Sequence, residues 1–184
     1  MYFDFNNKHY MKVIIGFFIL ALGTSLNASN GDVDPTNEER YRLAGHPKTS
    51  AAMFKVLSLD KDASIRKRVA SNRKTPKKIL LHLARDPDQS VKISIATNLS
   101  APEEVYSILA VDSMLAVRSV VARFEYVPVF ALKILANDKD VDIRLEVARN
   151  LNTNKEILLE MINDSDSRVG STAELALERL SRGE

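Results

Sequence analysis

The residues best suited to chemistry in this 184-residue chain stand in columns. Asp34, Asp60, Asp86, Asp112 and Asp138 recur at a step of 26 residues, and six positions after each comes a base: Arg40, Arg66, Lys92, Arg118 and Arg144. A row of paired carboxylates and cations suggests proton transfer by acids and bases, or a ladder of cations for successive phosphates. A structural role accounts for the pattern better. Each aspartate lies just ahead of an apolar-periodic stretch, where a carboxylate accepts the orphan N–H groups of a helix start and suits its positive end. The base then has a carboxylate within reach, in its own unit or a neighbouring one. Asp60, Asp86, Asp112 and Asp138, with Arg66, Lys92, Arg118 and Arg144, are therefore expected to form a structural ladder.

Little else is equipped for catalysis or ligation. The chain has no cysteine, which excludes disulfides, thiolate metal sites, iron–sulfur clusters and a cysteine nucleophile. His9, His46 and His82 have no second ligand at metal spacing and no partner in a recognisable catalytic motif. No glycine-rich phosphate loop occurs. The expectation is a non-enzyme that needs no cofactor and no metal. Hydrophobic residues at 45% and charged residues at 27% argue against wholesale disorder. A net charge of +2 lacks the basic excess usual in an obligate nucleic-acid binder.

The columns belong to a gapless 26-residue repeat that predicts two short helices per unit. In the first helix, Ile65 aligns with Val91, Val117, Ile143 and Val169. Val69 aligns with Leu43, Ile95, Val121, Val147 and Ala173, and beside it runs Ala44, Ala70, Ala96, Ala122 and Ala148. This is an apolar i, i+4 stripe with a small residue next to it, suited to close helix packing. The second helix opens at Thr75-Pro76, read as N-cap and N1, with Pro102 and Pro128 in the same column and a capping-box pattern at Thr153–Glu156. Its core face is Ile79, Leu80 and Leu83 with their equivalents. Asn72, Asn98 and Asn150 lie between the helices, where asparagine tolerates a left-handed turn. Such a unit cannot bury its apolar face alone, but stacked units can. Residues 34–163 hold five units, and Ser171–Arg182, with Leu175, Leu177 and Leu180, reads as an amphipathic terminal cap.

On Leu83-Ala84-Arg85-Asp86-Pro87-Asp88, Ser90-Val91-Lys92, Ile95-Ala96, Asn98 and Ala101-Pro102-Glu103-Glu104-Val105, the unit resembles HEAT-like helical repeats, and most closely their leucine-rich-repeat-variant subgroup. The resemblance covers residues 34 to about 176. It implies an all-α, right-handed superhelix, a solenoid, with an Asp–Arg ladder between units and the second helices lining a concave face. In the variant subgroup α-helices alternate with 3₁₀ helices, and whether one helix here is 3₁₀ stays open. Some members carry a cysteine cluster for iron and sulfur, which a cysteine-free chain does not match.

Function is expected where the repeat varies. The second-helix columns of Lys77, Lys78, Leu81 and His82 change from unit to unit, and the fourth unit departs furthest, with Phe124-Glu125-Tyr126-Val127-Pro128-Val129-Phe130. Lys77, Lys78, His82, Phe124, Tyr126, Val129, Phe130 and Ile134 are the candidate partner-binding residues, for a protein or peptide. The aromatics either form an exposed anchor or tuck between units as a repacked core. Residues 61–92 carry a net charge of +7 and residues 137–184 a net of −4. The basic stretch makes an anion or nucleic-acid partner the alternative reading.

The N-terminus differs from the rest. Lys12, the apolar run Val13–Gly23 and the small polar residues to Ala28 read as a signal peptide (1–28), with Met1–Tyr10 an upstream extension, followed by a linker at 29–33 and the repeats at 34–184. The eleven-residue run would form a helix of about 16 Å, short of the roughly 30 Å hydrocarbon core. Cleavage after Ala28 would place the protein in the periplasm or outside the cell, where nucleic acid is an improbable partner. The other reading is an uncleaved anchor, which would be its only membrane attachment. Without a cysteine, lipidation as a bacterial lipoprotein is excluded. If cleavage occurs, the intact mass of protein from the exported fraction should correspond to a chain starting at Ser29; a mass that includes residues 13–28 would show a retained anchor.

Overall fold

The computed structural model describes residues 36–183. The expected signal peptide and linker, and Asp34, lie outside the described residues. The described chain is all-α, with eleven helices and no strand. The first helices of successive units are α1 (Asn37–Gly45), α3 (Ala63–Ser71), α5 (Gln89–Ala96), α7 (Leu115–Arg123), α9 (Val141–Arg149) and α11 (Ser167–Arg182). Each begins 26 residues after the one before. Between them stand the shorter second helices α2 (Ala51–Leu57), α4 (Lys77–Leu83), α6 (Glu104–Leu109), α8 (Val129–Leu135) and α10 (Lys155–Met161). No 3₁₀ helix occurs among the described residues.

The first helices pack directly on one another in chain order, α1 on α3 and so on to α11, while the second helices stand further apart. The alanine column explains the difference. Ala44, Ala70, Ala96, Ala122 and Ala148 are fully buried, and so is the Val69 column beside them, except for slight exposure at Leu43. Second helices offer Phe54, Leu80, Tyr106, Leu132 and Leu158 to the same hydrophobic cluster. No helix among the described residues is long and apolar enough to cross a membrane.

Local details differ from three sequence expectations. The N-cap of the first helix is two residues later than Asp60: Asp62, Asp88, Asp140 and Asp166 each accept the N–H two positions on. Asparagine is not in a left-handed turn. Asn72 and Asn150 are extended, with φ of −77° and −68°, and their amides bond elsewhere. Thr75 does not cap α4, because its hydroxyl donates back to the Val69 carbonyl at 2.6 Å, as Thr153 does to Val147. Asn154, not Thr153, caps α10.

The terminal helix also differs. It starts at Ser167 and buries Val169, Gly170, Ala173 and Ala176, so it continues the repeat's own stripe, and Leu175 is 66% exposed. Gly170 takes the place of the ladder arginine. A Cβ there would sit 2.6 Å from the Ile162 carbonyl oxygen, which main chain cannot vacate. At Gly45 an added Cβ would meet only the guanidinium end of Arg68, which can swing aside. Gly170→Ala should therefore cost about 1–3 kcal/mol, read as a lower midpoint in thermal unfolding, while Gly45→Ala should leave the midpoint nearly unchanged. Equal effects would show that α11 does not approach α10 this closely.

Candidate functional site

Two sets of polar columns tie first helices to their successors: an ion pair near one end at every junction, and an asparagine near the other at three of the five. At the N-terminal end, Arg66 donates Nε and Nη2 to the Asp86 carboxylate at 2.7 and 2.9 Å, and Nη1 to the Asp60 carbonyl at 2.8 Å. Arg118 repeats this on Asp138 and the Asp112 carbonyl, and Arg144 on Asp164 and the Asp138 carbonyl. Arg40 donates Nε to Asp60 at 2.7 Å. Each of these bases thus reaches the carboxylate of the next unit, twenty residues on, and Arg66, Arg118 and Arg144 meet their own unit's aspartate only at its carbonyl. The other oxygen of each aspartate accepts the N–H two residues later, as Asp86 does from Asp88. This turn, rather than a helix cap, fixes the carboxylate.

The pairs are nearly dry, with the Arg118 and Asp138 side chains 6% and 7% exposed. The Asp86, Asp138 and Asp164 hydrogen bonds raise the guanidinium pKa values of Arg66, Arg118 and Arg144 respectively. Burial works against the Asp138 carboxylate, but the bonds from Arg118 and the Asp140 N–H outweigh it and hold the pKa below the ordinary range. Arg144 does the same for Asp164.

At the other end, asparagine amides reach back to carbonyls that finish the preceding unit's first helix. Asn72 donates to the carbonyls of Ala44 and His46, Asn98 to those of Ala70 and Asn72, and Asn150 to those of Ala122 and Phe124. Each side-chain oxygen accepts the N–H two residues on. His46 copies that last bond with Nδ1.

Both clamps depart from the pattern together at one junction, between α5 and α7; the asparagine is also absent between α9 and α11, where Ala176 takes its place. Lys92 makes a single bond to Asp112, at 2.6 Å, where Arg66, Arg118 and Arg144 make a fork. Met114 stands where aspartate caps four of the other first helices. Phe124 replaces asparagine, and the Ala96 carbonyl is bonded instead by the Tyr106 hydroxyl at 3.1 Å. Burial pushes the Tyr106 phenol up to about 12. Sequence reasoning missed Tyr106. Its signal was a lone hydroxyl in a leucine column, in the unit before the one that loses its asparagine.

A groove of about 590 Å³ opens at this junction, bordered by Asn98, Leu99 and Glu103 on one side and by the Phe124–Phe130 segment on the other. The Phe124 ring stacks on Tyr106 at 6.3 Å between centroids and meets Tyr126 edge-on at 5.8 Å. The aromatics are divided between both expected roles. Tyr106 is buried and Phe124 half-buried, whereas Tyr126 and Phe130 are 63% and 40% exposed. Of the candidate partner-binding residues, Phe124, Tyr126, Val129 and Phe130 border the groove. Ile134 lies in a separate depression beside Arg118 and Asp138. Lys77, Lys78 and His82 are exposed on α4 and do not border the groove. The basic residues of α4 and the aromatic groove therefore do not form one site. No cluster of residues able to hold a metal occurs among the described residues.

The ladder predicts two opposite mutational effects. Arg118→Ala strands a buried carboxylate and should destabilise by about 3 kcal/mol in chemical denaturation. Lys92→Arg should gain the fork to Asp112 and the Asp86 carbonyl, stabilising by about 1 kcal/mol. A neutral Arg118→Ala would remove the ladder's structural role.

Comparison of the chain with protein-family models, with curated proteins and with solved structures finds no match.

Proposed function

We propose that the chain is a non-catalytic scaffold that binds a protein or peptide partner through the aromatic groove between its third and fourth units. In this reading it is an exported, right-handed α–α solenoid of 26-residue HEAT-like units, akin to the leucine-rich-repeat-variant subgroup. The even spacing of the first helices and the unit-to-unit bonds support the solenoid. The sequence of residues 12–28 supports export. Every regular polar column is engaged in bonds within the chain, which leaves the variable columns for recognition and supports a binding role over catalysis.

The observation that carries the reading is the exposed surface of Tyr126, Val129 and Phe130 at the junction inside the stack where Phe124 replaces the clamp asparagine. Exposed aromatics bordering a groove of this volume suit an anchoring side chain. The closer spacing of the first helices favours their lying on the inner side of a curved stack, so binding is assigned to the groove at the second-helix edge rather than to a concavity. The rival anion-binding reading draws on residues 61–92, but Arg66 and Lys92 are buried in ion pairs there and Arg68 stacks on Tyr41 at 5.2 Å.

Site-specific crosslinking tests the proposal. A photoreactive phenylalanine analogue at position 130, in protein within its producing cells, should give a discrete adduct that Tyr126→Ser diminishes. The same analogue at position 175, on an exposed face of α11, should not. Equal labelling at both positions, or none at 130, would overturn it.

A further inference from the structure

We propose that the groove binds an arginine side chain of a basic peptide segment, a reading that rests on the scaffold proposal above and specifies its partner. The repeat itself shows what the groove lacks. The carbonyls of His46, Asn72 and Phe124 each accept a side-chain amide from the asparagine 26 residues later. Two carbonyls of this column lack that donor: Asn150, with Ala176 at the donor position, and, beside the groove, Asn98, with Phe124 there. Among the described residues the Asn98 carbonyl accepts only the Ala101 N–H, at 2.8 Å. Asn98 borders the groove, so a planar N–H donor belongs beside a carbonyl that the chain leaves half-satisfied.

Charge points to the same ligand. Glu103 is the single charged residue bordering the groove; no lysine, arginine or histidine does. It is exposed, and its carboxylate has no hydrogen-bond or ion-pair partner among the described residues. The rings of Tyr126 and Phe130 supply faces that attract a cation, and guanidinium stacks on them better than ammonium. A guanidinium offers five N–H donors in one plane, enough for a carbonyl and a carboxylate together. The volume exceeds what one side chain fills and falls in the range of sites for larger ligands, which favours an arginine carried on a peptide with its flanking residues.

The test uses the full chain and a fluorescein-labelled pentapeptide, Gly-Ala-Arg-Ala-Gly, against the same peptide with citrulline, which keeps the shape and loses the charge. Fluorescence anisotropy should show saturable binding of the arginine peptide and binding at least about tenfold weaker for citrulline. Glu103→Gln should weaken the arginine peptide by about threefold and leave the citrulline peptide unchanged. Phe124→Asn restores the clamp donor, so it should abolish binding while thermal unfolding shows the fold kept. Equal affinity for both peptides, or full affinity in folded Phe124→Asn, overturns the proposal. If neither peptide binds while the position-130 adduct persists, the arginine assignment falls and the scaffold reading stands. If the adduct is also absent, both fall.

Discussion

Each first helix is held to its successor by side chains that end on main-chain carbonyls and turn carboxylates, and this sets the spacing of everything else. The bonds from Arg66 to the Asp60 carbonyl and the Asp86 carboxylate tie a first helix, the loop before it and the loop after the following second helix into one object. Asn98 does the same at the far end through the Ala70 carbonyl. Between the two clamps the alanines let the helices close up, so apolar contact and hydrogen bonding favour one and the same step. A residue inserted anywhere in the unit would misalign both ends at once, which gives a physical reason for a repeat without gaps.

Such a lattice of satisfied groups leaves few atoms for a partner. The ladder's charges are neutralised in place, and the pKa shifts on Arg118, Asp138 and Asp164 reinforce the charged pairs rather than poise a group for proton transfer. In the proposed binding role, recognition falls to places where the pattern lapses. The exchange of asparagine for Phe124 is such a lapse. Tyr106 repairs half of it by bonding the Ala96 carbonyl, and the other half opens as the groove.

Much of this was legible in the sequence. The buried columns followed from period and side-chain size, because a gapless repeat makes each position report on the others. The pairing of Asp60 and Arg66 types was legible as well. Which aspartate an arginine meets was not: six residues back and twenty forward are equally reachable on paper, and only helix stacking decides. Asp60 and Asp62 both offered a carboxylate near the helix start, and spacing alone did not separate the turn-former from the cap. The asparagine bonds were invisible for a related reason, since a 28-residue reach leaves no local trace. The aromatic segment of the fourth unit stood out by composition, but its division into buried Phe124 and exposed Tyr126 depends on Tyr106, which the column alignment recorded merely as another large residue.

The α5–α7 junction combines a single-bonded lysine, an uncapped helix start and a missing asparagine. Elasticity in a linear stack concentrates at its softest joint. In the proposed solenoid, the units on either side would act as two stiff arms about one compliant seam, and the width of the opening at that seam would be the coordinate along which the stack bends. Anything seated there would stiffen the rod as well as occupy it.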